Sequence, residues 1–162
     1  KTVLLETLKP LALNAKWLWV GTDLSESASI SEEAVAIRLL TDLSVVTSTI
    51  VVEREKPVGF DIGISGDEIR LNYANLMQIF QAQPGLVADR LKSTLEIIWY
   101  YTKEQIDVKG IIFAYDEAQN LSDHSKVGQY PLSVLLEVFQ SIQRKGIPFM
   151  LLFVGLPILF SK

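Results

Sequence analysis

Apolar residues recur along this chain with alternating helical and strand-like spacing. A helix is predicted from about Thr2, and Pro10 is expected to kink or end it. A short strand is predicted at Trp17–Val20. Ser29 and Glu32 have the spacing of a capping box, so the next helix should begin there. Its buried side is predicted from the apolar positions Val35, Leu39, Leu40 and Leu43.

The second half of the chain continues this alternation. A weak helix over residues 73–81 is followed by a stronger one, whose buried side is predicted from Leu91, Leu95, Ile98 and Trp99. Strand-like runs over residues 110–115 and 149–154 enclose a helix that starts at Pro131. The buried side of that helix is predicted to comprise Leu135, Leu136, Phe139 and Ile142. This order of elements is typical of an α/β fold with helices packed on a parallel sheet.

Residues 49–72 interrupt the regular alternation. Glycines are spaced through this segment, and the apolar runs between them are short. A composition of this kind predicts a small β insertion or a mobile excursion, and the register of its strands does not follow from the sequence.

Two adjacent carboxylates, Asp116 and Glu117, end the apolar run of residues 110–115. The run predicts a strand buried on both faces, whose carboxyl end opens at a ligand crevice. In phosphoryl transfer, one carboxylate at such a position organises a hydrated Mg²⁺ ion and another polarises the attacking water. This arrangement is the Walker B element of P-loop nucleotidases. A turn that merely begins with acidic residues is the alternative interpretation.

Lys1 and Thr2 match the end of a second phosphate-binding motif. The loop GxxxxGK[ST] ends on a lysine and a hydroxyl residue and leads into a helix, as these two residues do. The lysine of that loop contacts the outer phosphates, and the hydroxyl ligates Mg²⁺. The order along the chain also agrees, because the loop precedes the carboxylate strand in P-loop folds. For a Lys-Thr dipeptide alone, a frayed terminus is the alternative.

Composition narrows the classes of function. The 162 residues suffice for one domain with its own core, and the lack of cysteine excludes disulfides and thiolate metal sites. The single histidine, His124, cannot form a zinc site alone and is interpreted as a solvated loop residue. A formal charge of -4 provides no electrostatic footprint for a nucleic-acid backbone.

The longest apolar tract, residues 147–160, is too short for a membrane span and contains Pro148 and Pro157. The start of the chain lacks the small-residue cleavage site of a signal peptide. We therefore expect a cytoplasmic protein that does not cross a membrane.

The ordered set of motif residues resembles prokaryotic AAA+ ATPases of the origin-recognition-like and transposition-helper type. The set comprises Lys1-Thr2, residues 111–121 with their Asp-Glu-Ala-Gln box, and residues 149–157. In that group the apolar strand often ends in DEAQ or DEAH. The resemblance implies a three-layer P-loop NTPase of AAA+ type with a parallel sheet. Residues 1–162 would be a partial core, from the end of Walker A to just after the sensor 1 strand.

The resemblance also implies a role for each motif residue. Lys1 would contact the β and γ phosphates of ATP, and Thr2 would ligate Mg²⁺. Asp116 would hold that ion through water, and Glu117 would be the catalytic base or the water-positioning carboxylate. The group commonly places Asn or Thr near the end of the next strand to sense the γ-phosphate, whereas this sequence has Val154 at the matching place.

Several parts of an AAA+ core are not in the sequence: the glycines of the phosphate loop, the strand before it, the arginine finger and the C-terminal lid. In the group, the missing strand lies beside the sensor strand, so residues 149–154 would form an open apolar edge that promotes association. We therefore expect the natural protein to extend at both ends. We also expect this segment alone to bind nucleotide weakly.

Three functions are consistent with the sequence. The Lys-Thr and Asp-Glu pairs together favour an ATPase, a phosphoric anhydride hydrolase that switches assembly or nucleic-acid remodelling. A helicase-like motor is suggested by the box at residues 116–119, although residues 155–157 are not the Ser-Ala-Thr type motif of such motors. A nucleotide-gated interaction module with little turnover is suggested by Val154. The partners implied are ATP and either a client protein or a second copy of the chain. Nucleic acid is a further candidate partner, for which the charge of the chain provides no support.

Overall fold

A computed structural model describes residues 2–53 and 68–156 of the protein, which form a mixed α/β fold. In these residues the helices are α1 (Thr2–Asn14), α2 (Glu32–Thr47), α3 (Tyr73–Ala82), α4 (Val87–Gln105) and α5 (Pro131–Arg144). The strands are β1 (Trp17–Val20), β2 (Val51–Glu53), β3 (Glu68–Arg70), β4 (Gly110–Tyr115) and β5 (Phe149–Phe153). Short 3₁₀ helices lie at Ser27–Ser29, Ala118–Asn120 and Ser125–Val127.

Three of the strands form a parallel sheet in the order β1-β4-β5. Ile111 of the central strand lies opposite Leu18 of β1 on one side and Phe149 of β5 on the other. The prediction that the carboxylate strand and the strand after it are parallel neighbours is confirmed. The carboxyl ends of all three strands therefore lie at the same end of the sheet.

One face of the sheet carries the main core. Phe113 of β4 contacts Phe139 of α5 and Phe149 of β5, with ring centroids 5.1 and 5.5 Å apart. Trp99 of α4 meets the Phe149 ring at 5.7 Å. Other buried residues on this face are Val20, Ile111 and Tyr115. Helices α2, α4 and α5 cover this face and pack against one another.

The opposite face of the sheet is covered only in part. Met150 of β5 is 46% exposed. The residues aligned with it across the sheet, Ile112 of β4 and Trp19 of β1, are half-buried. Helix α1 lies on this side, beside the β1 end of the sheet. Its exposed apolar residues are Val3, Leu4, Leu11 and Leu13. Among the described residues, a layer of packed helices thus covers one face of the sheet, and a single loosely packed helix lies on the other.

Strands β2 and β3 form an antiparallel pair inside the segment predicted as a small β insertion. Val52 lies opposite Ile69, and both side chains are buried in the core. Residues 54–67 lie outside the described residues, so the structure describes this predicted insertion only at its two ends.

The start of the chain differs from prediction at Pro10. Helix α1 continues through this proline to Asn14, so of the two predicted outcomes, a kink or an end of the helix, the end is wrong. Proline has a φ angle within the helical range, and the helix tolerates the loss of one N–H donor.

The predicted start of α2 is also wrong. Its N-cap is Ser31, whose Oγ accepts a hydrogen bond of 3.1 Å from the Ala34 N–H. Ser29 instead lies in a 3₁₀ turn, where its hydroxyl donates to the Ser25 carbonyl at 3.0 Å. The capping box predicted from Ser29 and Glu32 therefore does not form.

Helices α4 and α5 follow their predicted patterns closely. Pro131 is the first residue of α5, and Leu135, Phe139 and Ile142 are buried as predicted. Leu136 is 42% exposed, so its predicted burial is wrong. It follows Leu135 by one position, which turns its side chain away from the buried stripe.

No helix in residues 2–53 or 68–156 is long and apolar enough to cross a membrane.

We predict that Gly110→Ala lowers the free energy of unfolding by about 3 kcal/mol, because the added methyl overpacks the junction of three chain segments. A Cβ at this position would lie 2.2 Å from the Pro148 carbonyl oxygen and 2.4 Å from the Trp17 ring. The carbonyl belongs to the backbone and accepts the Ile111 N–H at 3.0 Å, so it cannot move without loss of that bond. Urea denaturation of both proteins measures the difference.

Gly128→Ala is the matched control. This glycine has a φ of 65° and no atom within 4 Å of an added Cβ, so the substitution introduces backbone strain without a clash. We expect a loss of about 1 kcal/mol. Equal losses in the two variants would show that close approach at Gly110 is not important for stability.

Candidate functional site

The two predicted carboxylates lie at the carboxyl end of the central strand. Asp116 directly follows β4 and is 3% exposed, whereas Glu117 is half-buried. The Asp116 N–H donates to the Thr22 carbonyl at 3.2 Å, and the Asp116 carbonyl accepts from the Leu24 N–H at 3.0 Å. Parallel pairing therefore continues beyond β1 and fixes the backbone of Asp116.

Glu117 has a left-handed backbone conformation, with φ 54° and ψ 33°. This conformation costs roughly 1 kcal/mol or more for a residue with a Cβ, and such strain clusters at functional sites. The Glu117 N–H donates to Asp116 Oδ1 at 2.8 Å, which joins the two acids within one turn. The chain then enters the 3₁₀ helix Ala118–Asn120.

The far side of the turn is held by the segment after β5. The Val154 N–H donates to the Tyr115 carbonyl at 2.9 Å, and the Val154 carbonyl accepts from the Ala118 N–H at 3.0 Å. The prediction that the end of this strand lies beside the carboxylates is confirmed. Both neighbouring strands thus contribute to the position of the acidic turn.

Asp116 lines a pocket of about 110 Å³ between the sheet and α1. The other lining residues are Leu5, Glu6 and Lys9 from α1, Trp19, Gly21, Thr22 and Asp23 from β1 and its exit, and Ala114 from β4. Leu5 lies about 4.5 Å along the helix axis from Thr2, given the rise per residue of an α-helix. The first turn of α1 is therefore close to the pocket that contains Asp116.

A larger cavity of about 480 Å³ adjoins the same turn and contains neither carboxylate. It is lined by Glu26, Ser27, Ile30, Gln119, Asn120, Ser122 and His124. Asn120 forms part of the cavity wall, and a hydrogen bond of 2.7 Å from its side chain to the Leu24 carbonyl holds it in place. Sequence reasoning missed this cavity, since a serine-rich loop and a polar loop gave no sign that they would meet.

The end of β4 is also held from the core side. Tyr115 is 1% exposed, and its hydroxyl lies beside the Asp42 carboxyl group of α2, which pairs with Arg38 at 3.0 Å. Burial raises the pKa of Asp42, and Arg38 partly offsets that increase. Burial likewise raises the pKa of Tyr115 well above its usual range. Within the described part of the chain, the Tyr115 hydroxyl has no partner of normal hydrogen-bond geometry.

The predicted site residues differ in how much the structure says about them. Asp116 and Glu117 lie at the predicted strand end, and Thr2 is the first residue of α1. Lys1 lies outside the described residues, so its convergence with Asp116 on one pocket stays a prediction. His124 lies in a loop as expected, but it is half-buried at the larger cavity rather than solvated.

Comparison with protein-family models, with curated proteins and with solved structures found no match to this chain. The interpretation of the site therefore depends on its own geometry. The features that matter are a buried aspartate, a half-buried glutamate in a strained turn, and a helix whose first turns line the pocket that contains the aspartate.

We predict that ionisation of Asp42 destabilises the fold, because burial raises its folded pKa above the ordinary value of 3.8. A carboxyl with a raised folded pKa contributes stability below its unfolded pKa, and this contribution is lost as the pH rises through the folded value. The free energy of unfolding of the wild type should therefore fall relative to Asp42→Asn as the pH rises above 3.8. Urea denaturation across a pH series that ends near neutrality measures this difference.

Asp107→Asn provides a control of opposite sign. Lys16 beside Asp107 lowers the pKa of that exposed carboxyl. The wild type should therefore gain stability relative to this variant as the pH rises. The same sign of pH dependence for both substitutions would contradict the role that we assign to the burial of Asp42.

Proposed function

We propose that this protein is an ATPase of AAA+ type that acts as a nucleotide-dependent switch for assembly or nucleic-acid remodelling. The observation that carries the proposal is the turn at Asp116 and Glu117, which follows the central strand of a parallel sheet. Ligands of open α/β sheets bind at the carboxyl ends of the strands. The two carboxylates lie at that end, with one of them almost fully buried.

The position of α1 supports a phosphate site at the same end of the sheet. Only Ala15 and Lys16 separate α1 from β1, and Leu5 lies in a pocket with Gly21 and Asp23 beyond the other end of β1. Helix and strand are therefore antiparallel, and α1 begins where the strands end. Free N–H groups and the helix dipole favour anions at such a helix start. In this proposal Lys1 contacts the β and γ phosphates.

The oxygen donors near Asp116 fit Mg²⁺. This ion prefers oxygen ligands and is commonly held by one or two carboxylates together with water and substrate phosphates. Asp116 supplies a buried carboxylate, and Thr22 and Asp23 line the same pocket. Asp116, through water, and the Thr2 hydroxyl are the proposed protein ligands. The bound ion would neutralise negative charge on the phosphates.

Glu117 is the proposed base. Its carboxylate is next in sequence to Asp116, is half-buried and accepts a hydrogen bond from the Gln119 side chain. In hydrolysis, water attacks the γ-phosphorus while the bond to the β–γ bridging oxygen breaks, which yields ADP and inorganic phosphate. Glu117 would orient the water and accept its proton, a role that contributes about 100-fold or more to the rate.

An interaction module with little turnover is the second candidate, and Val154 favours it. This residue is apolar, and both its N–H and its carbonyl are bonded to the acidic turn. It therefore offers no polar side chain to sense the γ-phosphate at the place where the resemblance predicts one. Such a protein would bind ATP and change its association without hydrolysing it.

We predict that Glu117→Gln in the full-length protein retains ATP binding and lowers Mg²⁺-dependent ATP turnover by about 100-fold or more, because it removes the base but not the phosphate contacts. Phosphate release measures turnover, and a fluorescent ATP analogue measures binding. Glu137→Gln is the matched control, since Glu137 is an exposed residue on α5, and it should leave both quantities unchanged.

The other outcomes separate the candidates. Binding without turnover in the wild type would favour the interaction module. Equal turnover of Glu117→Gln and wild type would exclude Glu117 as the base. A wild type that neither binds nor hydrolyses ATP would overturn the proposal of a nucleotide site.

A further inference from the structure

We propose that Gln119 is a positioning residue that ties the Glu117 carboxylate to the loop after β5. Through this tether, the ends of β4 and β5 would hold the base in one place. The catalytic consequence rests on the proposed function, whereas the tether itself rests on geometry alone.

One side-chain amide makes both contacts of the tether. Its Nε2 donates to Glu117 Oε2, and its Oε1 accepts from the Leu156 N–H at 2.9 Å. A glutamine amide has donors on one end and acceptors on the other, and a carboxylate only accepts while a backbone N–H only donates. The two partners therefore specify the orientation of the Gln119 amide.

The tether extends a set of backbone contacts between the same two segments. Val154 is bonded to Tyr115 and to Ala118, so the segment after β5 runs alongside the acidic turn. The Gln119–Leu156 bond continues this contact beyond the last backbone pair. The Glu117 side chain is thus connected, through Gln119, to the backbone of the segment after β5.

Gly155 provides an independent observation of how closely the two segments approach. A Cβ at this position would lie 2.8 Å from Gln119 Oε1 and 3.1 Å from the Gln119 backbone nitrogen. A side chain at position 155 would therefore push the Gln119 amide out of place. Any residue larger than glycine should loosen the tether without removing the glutamine.

The tether matters because a glutamate side chain has several rotatable bonds. A base that samples many rotamers is rarely in position to orient the attacking water, and fixing it beforehand removes that cost from the reaction. Groups that orient metal ligands by hydrogen bonds typically contribute about 10-fold to 100-fold to activity, and we expect an effect of similar size for the Glu117 carboxylate. Gln119 also lines the larger cavity, so it lies between that cavity and the carboxylates.

The experiment uses the full-length protein and two variants that break the tether from opposite sides. Gln119→Met keeps the length of the side chain but removes both hydrogen bonds, and Gly155→Ala displaces the amide. We expect each to lower kcat about tenfold with an unchanged KM for ATP. We also expect the Leu156 amide to exchange its hydrogen roughly fivefold faster, because it loses one hydrogen bond. The kcat of the double variant should be no lower than that of either single variant, because both substitutions break the same contact.

Two further variants separate the tether from general effects on the fold. Gln119→Glu keeps an acceptor for the Leu156 N–H but places a second carboxylate beside Glu117. Exchange at Leu156 should then stay slow while kcat falls. Gln140→Met, at an exposed glutamine of α5, is the matched control and should change neither quantity.

Unchanged exchange at Leu156 in both Gln119→Met and Gly155→Ala would overturn the tether. Faster exchange with an unchanged kcat would overturn the positioning role, because the contact would then exist without affecting the base. A wild type without turnover refutes the proposed function and the positioning role together, and Leu156 exchange still decides the tether. An active wild type and an equally active Gln119→Met refute this inference alone.

Discussion

Parallel pairing of β4 with both β1 and β5 is the constraint on which the rest of the structure depends. It brings three strand ends together, and its hydrogen bonds continue past the strands, from Asp116 to Thr22 and from Val154 to Tyr115. The backbone on both sides of the acidic turn is therefore fixed by the sheet rather than by the loop itself. This framework supports the burial of Asp116 and the left-handed conformation of Glu117. Sites built on rigid elements of this kind hold their reacting groups in place.

The two faces of the sheet contribute differently to the site. On the core face, aromatic packing and the partly buried Asp42–Arg38 pair support β4. On the other face, α1 makes looser contact and leaves much of its apolar surface exposed. The proposed phosphate site lies between this helix and the sheet. The proposed base therefore lies in the firmly packed part of the molecule, whereas the proposed phosphate contacts lie beside α1, which packs less tightly among the described residues.

The sequence predicted the elements whose patterns are strong and local. β1, β4 and β5 are continuous apolar runs, and α5 has a clear buried stripe after Pro131, so their positions were predicted well. Local rules failed where a neighbour competed, as when Ser31 rather than Ser29 capped α2. The sequence predicted the candidate site at Asp116 and Glu117 but not the contact between Gln119 and Leu156, because this contact depends on how β5 is aligned with β4. That alignment follows from packing and cannot be read from spacing along the chain.

In the function that we propose, Mg²⁺ and ATP bind at the carboxyl end of the β1-β4-β5 sheet. The most direct test is to map NMR amide shifts in the full-length protein as Mg²⁺ and a non-hydrolysable ATP analogue are added. We expect the largest shifts at residues 21–23 and 116–119, in the first turn of α1, and at residues 154–156. Shifts confined to the far end of the sheet or to the outer surfaces of α3 and α4, or no shifts with saturating nucleotide, would contradict it.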